Sequence, residues 1–255
     1  PILYHLITFV RFCHLFFLRE AYILSSRSDQ NEKKSDTFCT SERFSLRWKR
    51  SCIYQSMCNI KTSHVKEVIE QILELETMGC EIIRVSCMDL NDAKAIEEIV
   101  SNIHIPLVAD IHFDYRLALA CIDAGANKIR LNPGNIGARK NVEAVVKKCK
   151  KNIFRYELVI NSGSLEKEIH QKYGKPTAQG MMESAQRHVQ ILEDLHFYDT
   201  VLSFKSSDPL LCIEAYKKAS EMFDYPLHLG VTEAGTMMTS AIKSTLALGN
   251  LLLDG

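Results

Sequence analysis

Basic side chains stand at or near the ends of three predicted β-strands, at Arg84, Arg130 and Lys205. A buried cation is costly unless it is paired, so three cations that meet at one edge of a sheet imply an anionic partner. The planar guanidinium of arginine suits phosphate oxygens, and lysine adds a point charge. The set therefore predicts a binding site for a ligand such as a diphosphate.

More polar groups come from the stretch 106–137, which has the pattern strand, helix, strand. Side chains alternate along a strand, so Asp110 and His112 share one face of the first strand, and Arg130 and Asn132 share one face of the next. Parallel strands deliver these groups to the same end of a sheet, where α/β proteins keep their ligands. A carboxylate, an imidazole, a guanidinium and an amide are therefore expected to lie together.

Three other positions could complete such a site. Asn161 follows the fifth predicted strand, and Glu233 follows the seventh. Because Ala234 and Gly235 come directly after Glu233, backbone can approach a ligand closely there. Ser244 is predicted at the start of the last helix, where backbone N–H groups could receive phosphate.

Each of these assignments has a purely structural alternative. The cations could instead pair with Asp110 and Glu233 in a network that only supports the fold. His112 could be an ordinary hydrogen-bonded residue of the sheet, and His228, in the middle of a strand, is expected to fill the interior. The turn-rich segment 132–137 could serve its loop alone or contact phosphate.

Alternating strand and helix patterns that could position these groups run from Cys52 to the end of the chain. Predicted strands cover 52–57, 81–87, 106–111, 128–132, 154–160, 201–205 and 226–232. Predicted helices follow them, at about 65–75, 91–101, 115–122, 139–151, 179–195, 208–222 and 241–253, with a long loop over 161–176. Because βαβ crossovers are right-handed, this succession predicts an α/β fold of the TIM (β/α)8-barrel type, truncated before the eighth strand. An open seam is then expected beside the first and seventh strands.

Several motifs in this region resemble one enzyme family. They are VADIHFDYRLAL (108–119), IRLNPGNIG (129–137), NSGSLEKEIHQKYG (161–174), LSFKSSD (202–208) and PLHLGVTEAG (226–235). Together they resemble the 4-hydroxy-3-methylbut-2-enyl diphosphate synthase family, over roughly Gln55 to Gly255.

The resemblance implies an iron–sulfur oxidoreductase of isoprenoid (terpenoid) biosynthesis by the non-mevalonate pathway. The implied reaction is the reductive ring opening of 2-C-methyl-D-erythritol 2,4-cyclodiphosphate, with flavodoxin or ferredoxin as the electron donor. The family carries a [4Fe–4S] cluster on a further domain, whose cysteine motif is absent here, and it works as a homodimer in which that domain caps the partner's barrel. The implied catalytic residues are Glu233, Asp110 and His112. The implied diphosphate-binding residues are Arg84, Arg130, Asn132, Asn161, Lys205 and Ser244.

The fifth predicted strand departs from the family pattern. The family places another phosphate-binding arginine there, whereas this strand offers Arg155 or Glu157. A carboxylate at that position would repel a diphosphate. Two other functions therefore stay open: a non-catalytic remnant that binds a phosphorylated ligand or none, and a related barrel that handles another diphosphate, such as a pterin synthase.

Composition limits the other possibilities. The 255 residues include 31 basic and 31 acidic side chains, so a net charge of zero gives no bulk attraction to nucleic acid. The nine cysteines contain no CxxC pair, and several lie in apolar runs (Cys80, Cys87, Cys121 and Cys149). We therefore expect reduced thiols in a cytoplasmic protein, and no metal site.

Residues 1–50 differ from the rest of the chain. An apolar, aromatic segment over 1–18 precedes a polar and basic one over 25–51. They could form a membrane anchor or a targeting peptide, which would place the protein in a plastid-type organelle. The alternative is an atypical extension outside the fold, leaving 51–255 as the barrel domain; this alternative is favoured.

Overall fold

The described chain forms a β-barrel surrounded by helices. The computed structural model describes residues 22–25, 52–131, 139–152 and 155–254, and it describes 22–25 and Cys52 through the backbone only. Eight strands lie in this part of the chain. They are β1 (Tyr22–Ser25), β2 (Cys52–Met57), β3 (Ile82–Cys87), β4 (Leu107–Ile111), β5 (Lys128–Leu131), β6 (Arg155–Asn161), β7 (Thr200–Lys205) and β8 (Leu227–Leu229).

Eight α-helices pack around these strands in the described segments. They are α1 (Val65–Thr77), α2 (Leu90–Ser101), α3 (Tyr115–Asp123), α4 (Arg139–Asn152), α5 (Lys167–Tyr173), α6 (Ala178–Asp194), α7 (Pro209–Met222) and α8 (Met237–Leu253). A short 3-10 turn covers Ser162–Ser164. The segment 161–176, predicted as a long loop, thus contains this turn and α5.

The strands close into a barrel in chain order. β2 to β8 pair in parallel, each with the next, which confirms the seven predicted parallel strands. The predicted open seam is wrong, because β1 lies between β2 and β8 and pairs antiparallel with both. Residues 22–25 therefore belong to the barrel, contrary to the expectation that the first 50 residues lie outside the fold. Pairing satisfies backbone groups that an open seam would leave exposed at two strand edges.

Side chains alternate between the barrel interior and the surrounding helices. Ile53, Ile82, Val108 and Val201 form a separate buried apolar cluster. We call this cluster the floor, because it lies nearer the amino-terminal ends of its strands than the polar residues of the interior do. Two residues further along, the same faces carry polar groups, including Arg84 and Asp110. The alternation therefore places the predicted site above an apolar layer.

Helix starts follow the capping residues in the sequence. Asp114 was expected to cap α3, and its side chain accepts a hydrogen bond from the Arg116 N–H. Asp208 caps α7 in the same way, with Pro209 at the first helical position, where its missing N–H has no cost. Gly125, with φ of +88°, ends the turn after α3, and a left-handed backbone there favours glycine.

Six cysteines whose side chains the structure describes are free and buried, as their apolar surroundings predict; they are Cys58, Cys80, Cys87, Cys121, Cys149 and Cys212. Burial raises the pKa of the Cys58, Cys80, Cys149 and Cys212 thiols to about 12. These thiols are therefore protonated and unreactive at neutral pH. None of the helices in the described segments combines the length and the apolar character needed to cross a membrane.

Candidate functional site

Arg130 and Asp110 form the central ion pair of the barrel interior. Their Cα atoms are opposite one another on β5 and β4, and Arg130 Nη1 donates to Asp110 Oδ1 at 2.6 Å. The Nε atom of Arg84, from β3, lies 3.6 Å from Asp110 Oδ2. Burial alone would raise the pKa of the Asp110 carboxyl, but the charges of Arg130 and Arg84 outweigh burial and lower it. Asp110 is therefore an ionised carboxylate that holds two guanidinium groups in place.

Glu157 is the second carboxylate of the interior, and its Cα lies opposite that of Arg130. It is fully buried and contacts Lys128 Nζ at 2.7 Å, His228 Nδ1 at 2.6 Å and Arg130 Nε at 3.8 Å. Lys128 also donates to Gln55 Oε1 at 3.0 Å. Burial would raise the pKa of Glu157, but its basic neighbours hold it well below its usual range. On the fifth parallel strand, Glu157 thus lies in the interior, and Arg155 is the first residue of β6, at its amino-terminal end. Which of the two lies next to a phosphate stays a prediction.

Positive charge exceeds negative charge in the described interior. Two carboxylates, Asp110 and Glu157, face four cations, namely Arg84, Lys128, Arg130 and Lys205. Lys205, the last residue of β7, is fully buried. Burial lowers the pKa of the Lys128 ammonium, but the facing Glu157 carboxylate opposes that shift. A surplus of buried positive charge is costly, and an anionic ligand would offset it.

Two buried donors point to the same conclusion. Gln55 Nε2 and Arg130 Nε are shielded from water and form no hydrogen bond within the described segments. A buried donor without an acceptor costs roughly 1–3 kcal/mol. The interior also contains atoms that can accept and have no hydrogen bond in these segments, such as Glu157 Oε2 and the Ser203 hydroxyl. The two donors are therefore available to an acceptor such as a phosphate oxygen, but they are not the only unsatisfied polar atoms of the described interior.

The structure brings together some of the predicted site residues. Asp110 pairs with Arg84 and Arg130, and the Cα of Asn161 lies opposite that of Lys205 at the carboxyl ends of β6 and β7. His112 is half-buried just beyond the end of β4. Asn132 lies outside the described residues. Their roles toward a ligand stay predictions.

Glu233 and Ser244 differ from expectation. Glu233 is exposed and makes no ion pair within the described chain, so the predicted structural network holds for Asp110 but not for Glu233. Ser244 was expected at the start of the last helix, but α8 begins at Met237, with Thr236 as its N-cap. Ser244 therefore lies two turns inside α8, where its N–H bonds within the helix and cannot receive phosphate. The corresponding free N–H groups belong to the first turn, at Met237.

The contact between Lys128 and Gln55 is a feature of the candidate site that the sequence did not predict. The alternation of β5 would have placed Lys128 on the same face as Arg130, two residues away. Its contact with Gln55, 73 residues away in sequence, depends on how the barrel closes. His228 fills the interior as expected, and in addition it contacts Glu157.

Comparison with known proteins shows the family to which this barrel belongs. A sequence model described as the GcpE TIM-barrel domain matches residues 46–255, most of the chain. The chain belongs to the GcpE family. The expected resemblance and the expected TIM-barrel class are thereby confirmed.

Curated relatives of this GcpE chain include proteins named 4-hydroxy-3-methylbut-2-en-1-yl diphosphate synthase (flavodoxin). The protein from Geobacillus kaustophilus is 55% identical over 203 residues, which are 80% of this chain and 54% of the relative. The protein from Listeria monocytogenes serotype 4b (strain F2365) is 57% identical over 201 residues, 79% of this chain and 55% of the relative. The chain thus spans about half the length of the curated relatives that it matches.

Similarity to solved structures is distant. The dihydropteroate synthase of Yersinia pestis covers 77% of this chain and 92% of its own, at 10% sequence identity and a TM-score of 0.41.

His228 gives the GcpE barrel a predicted pH dependence. Burial lowers the pKa of its imidazole to about 3, although Glu157 opposes the shift. Between the ordinary pKa of 6.5 and that value, the unfolded chain binds a proton that the folded chain does not, so stability falls as the pH falls. We expect the free energy of unfolding to drop by about 1 kcal/mol per pH unit below pH of about 6, measured by urea denaturation. The variant His228→Gln should show a flatter profile over that range, and an unchanged slope would contradict a neutral His228.

Proposed function

We propose that this chain is the substrate-binding barrel of a 4-hydroxy-3-methylbut-2-en-1-yl diphosphate synthase, an iron–sulfur oxidoreductase of isoprenoid biosynthesis. The substrate would be 2-C-methyl-D-erythritol 2,4-cyclodiphosphate, whose ring is opened reductively. The observation that carries the proposal is the convergence of buried basic side chains in the barrel interior, Arg84, Arg130 and Lys205, since a diphosphate has the charge and the acceptors to bind them. The names of the curated relatives support the same substrate class.

The interior residues would divide the work of binding. Arg84, Arg130 and Lys205 would hold the diphosphate, and Asn161 would add hydrogen-bond donors at the rim. Asp110 fixes the two guanidinium groups before a ligand arrives, which lowers the cost of ordering them on binding. Preorganised charge of this kind orients the ring for reaction.

Glu233 and His112 are the candidates for contact with the reacting ring. Glu233 has a φ of +49°, a left-handed backbone that is uncommon and costs about 1–3 kcal/mol in a residue other than glycine. Such strain is typical of functional sites, because the surrounding structure must pay for it. The turn Glu233–Thr236 would present this carboxylate beside the first turn of α8, where free N–H groups favour an anion.

The iron–sulfur cluster would come from outside the barrel. Within the described segments no group of three or more histidine, cysteine, aspartate or glutamate side chains could hold a metal ion. Among the buried cysteines there, Cys87 and Cys121 form a pair with 3.4 Å between their sulfur atoms. The described residues therefore do not fit a cluster, and the barrel's part is to bind and orient. Electrons would be supplied by flavodoxin or ferredoxin, in a cytoplasmic setting.

Exposed apolar side chains surround the mouth and would be covered by a capping domain. They follow β3, β4, β7 and β8 at the carboxyl ends, and they are Met88, Leu90, Phe113, Leu210, Met237 and Met238. Phe113, the most exposed of them, leaves 71% of its surface open to solvent. An apolar ring with this much exposure marks an interaction surface. A cap would also remove water from the interior and strengthen its electrostatic contacts.

A homodimer would cover a second apolar surface, on α8. Ile242 and Leu246 lie one helical turn apart, and both are more than half exposed. If this face joins two chains, Ile242→Glu should convert a dimer to a monomer in analytical ultracentrifugation. A monomeric wild type, or a dimeric Ile242→Glu variant, would exclude this face as the dimer interface.

The alternative is a non-catalytic remnant that keeps the barrel. The observation that favours it is Glu157, whose negative charge reduces the positive potential of the interior. Ligand binding separates the two: a remnant without a ligand would bind neither pyrophosphate nor the cyclic diphosphate.

Isothermal titration calorimetry of the full chain tests the proposal. The cyclic diphosphate should bind, and pyrophosphate should compete with it. Lys205→Ala should weaken binding by about tenfold, since it removes a charge-assisted contact. The matched control is Lys147→Ala, because Lys147 is exposed on α4, outside the barrel interior, and its loss should leave affinity unchanged. Equal effects of the two substitutions, or no binding by wild type, would overturn the proposal.

A further inference from the structure

Asn161 is the last residue of β6, at the mouth of the barrel, and a short loop leads from it to α5. Asn161 Oδ1 accepts a hydrogen bond from the Gly163 N–H at 3.0 Å, which forms the tight 3-10 turn over Ser162–Ser164. The two side-chain N–H donors of Asn161 form no hydrogen bond within the described segments, so they remain for an outside acceptor. β6 fixes the loop at its first end. Its second end lies at Glu166, directly before α5.

Glu166 is tied to a different helix from the one that it precedes. It occupies the N-cap position of α5, but its side chain makes no capping hydrogen bond. Its Oε1 atom instead accepts from His188 Nε2 at 2.7 Å and from Ser184 Oγ at 3.0 Å. Ser184 and His188 are four residues apart on α6 and so share one face of that helix. We call these three residues the Glu166 anchor.

The anchor is charged and mostly buried. Ser184 is buried, and His188 exposes only 14% of its side chain. The hydrogen bond from His188 lowers the pKa of Glu166 to about 2, against the opposing effect of burial. Charge-assisted hydrogen bonds of this kind are stronger than neutral ones. Glu166 is therefore held firmly in its ionised form.

Two polar atoms of the anchor lack hydrogen-bond partners. Glu166 Oε2 and His188 Nδ1 are both buried and form no hydrogen bond within the described segments. Two unsatisfied polar atoms at one contact are costly, and natural proteins accept such a cost mainly where geometry serves function. The helix pair α5 and α6 is also secured by other means, since Ile169 packs against Gly180, where an added Cβ would lie 3.1 Å from Ile169 Cγ2.

We propose that Glu166 is a positioning residue: held by Ser184 and His188, it fixes the loop so that the Asn161 side-chain amide faces a phosphate group in the mouth. The proposal rests on the proposed function, because it assigns the anchor to that same diphosphate site. According to the proposal, Ser184 and His188 on α6, outside the barrel interior, also influence the affinity for a diphosphate. The effect passes through six residues, from Asn161 to Glu166.

A double-mutant cycle tests whether Glu166 acts through Asn161. Affinity for pyrophosphate is measured by isothermal titration calorimetry for wild type, Glu166→Ala, Asn161→Ala and the double variant. Each single substitution should weaken binding by about tenfold, and the double variant should bind no more weakly than Asn161→Ala. Glu166→Gln keeps an oxygen acceptor and should restore most of the affinity. Hydrogen exchange of the Gly163–Leu165 amides should become faster in Glu166→Ala.

Arg187→Ala is the matched control on α6. Arg187 is adjacent to His188 and pairs with Glu168 on α5 at 3.0 Å, but this pair is exposed. Exposed pairs contribute little, so Arg187→Ala should change neither affinity nor exchange. Ser184→Ala, a milder disruption of the anchor, replaces Glu166→Ala in the cycle if that variant does not fold.

The outcomes separate the two proposals. If wild type binds pyrophosphate and the two losses simply add, the anchor does not act through Asn161, and the positioning role is overturned while the proposed function stands. If Glu166→Ala binds as wild type does, the positioning role is likewise overturned. If wild type binds no pyrophosphate, the diphosphate site itself fails and the positioning role fails with it.

Discussion

Replacement of Glu157 by alanine should lower the free energy of unfolding by about 3–5 kcal/mol, one of the two largest effects that we expect in this barrel. The carboxylate is fully buried and contacts Lys128, His228 and Arg130. Without it, the Lys128 ammonium would stay in the interior beside two guanidinium groups, with a single carboxylate among them. Urea denaturation monitored by circular dichroism measures the loss.

An exposed glutamate provides the control for Glu157. Glu143 pairs with Arg139 one turn away on α4, and both side chains are about half exposed. Glu143→Ala should change stability by less than about 0.5 kcal/mol. Glu157→Gln, which keeps an oxygen acceptor for Lys128 and His228, should lose less than Glu157→Ala. A loss below about 1 kcal/mol in Glu157→Ala would show that the interior cations do not depend on this carboxylate.

Replacement of Arg130 by alanine should weaken diphosphate binding by about one to two orders of magnitude. The change removes a guanidinium that would form charge-assisted hydrogen bonds to phosphate, each worth roughly 1.5–3 kcal/mol. It also removes the 2.6 Å contact to Asp110, which keeps only the longer contact to Arg84. We therefore expect an additional loss of stability of about 2 kcal/mol in the ligand-free protein. Calorimetric titration with pyrophosphate and a melting curve without ligand measure the two effects separately.

Arg155 is the matched arginine for this experiment, because it begins β6 at the opposite end of the barrel. Arg155→Ala should leave affinity unchanged. If Arg130→Ala destabilises the fold but binds pyrophosphate as wild type does, Arg130 supports structure alone. That result would support the alternative in which the ion pairs of the interior only stabilise the fold.

Local pattern predicted the elements of this fold well. Alternation of side chains located the strands, and with them the shared level of Asp110 and Arg130, because the period of two is set by the backbone itself. Capping chemistry located the start of α3 at Asp114 for the same local reason. The predictions were wrong where the apolar pattern is weak. The short, polar helix α5 was predicted as a loop, and α8 begins four residues before the apolar pattern that predicted it.

The interior contacts could not be predicted in the same way. Lys128 meets Gln55 across 73 residues of sequence, and His228 meets Glu157 across 71. Which side chains meet in a barrel depends on strand tilt and shear, and these follow from the closure of all eight strands. The antiparallel β1 shows the limit most clearly, since its partners β2 and β8 lie at opposite ends of the described chain. The count of seven predicted strands had suggested an open seam between β2 and β8, where β1 lies.

The floor of the barrel has a kinetic consequence. Ile53, Ile82, Val108 and Val201 are all nearly inaccessible to solvent, so the interior is closed beneath the charged layer. Within the described residues, this apolar layer blocks the amino-terminal side, so a ligand would enter and leave through the mouth at the carboxyl ends of the strands. Any domain that covers the mouth during reaction has to lift away before product departs and before the next substrate binds. Turnover would therefore be ordered, with the opening of the cap as an obligatory step in each cycle, and product would compete directly with substrate for entry.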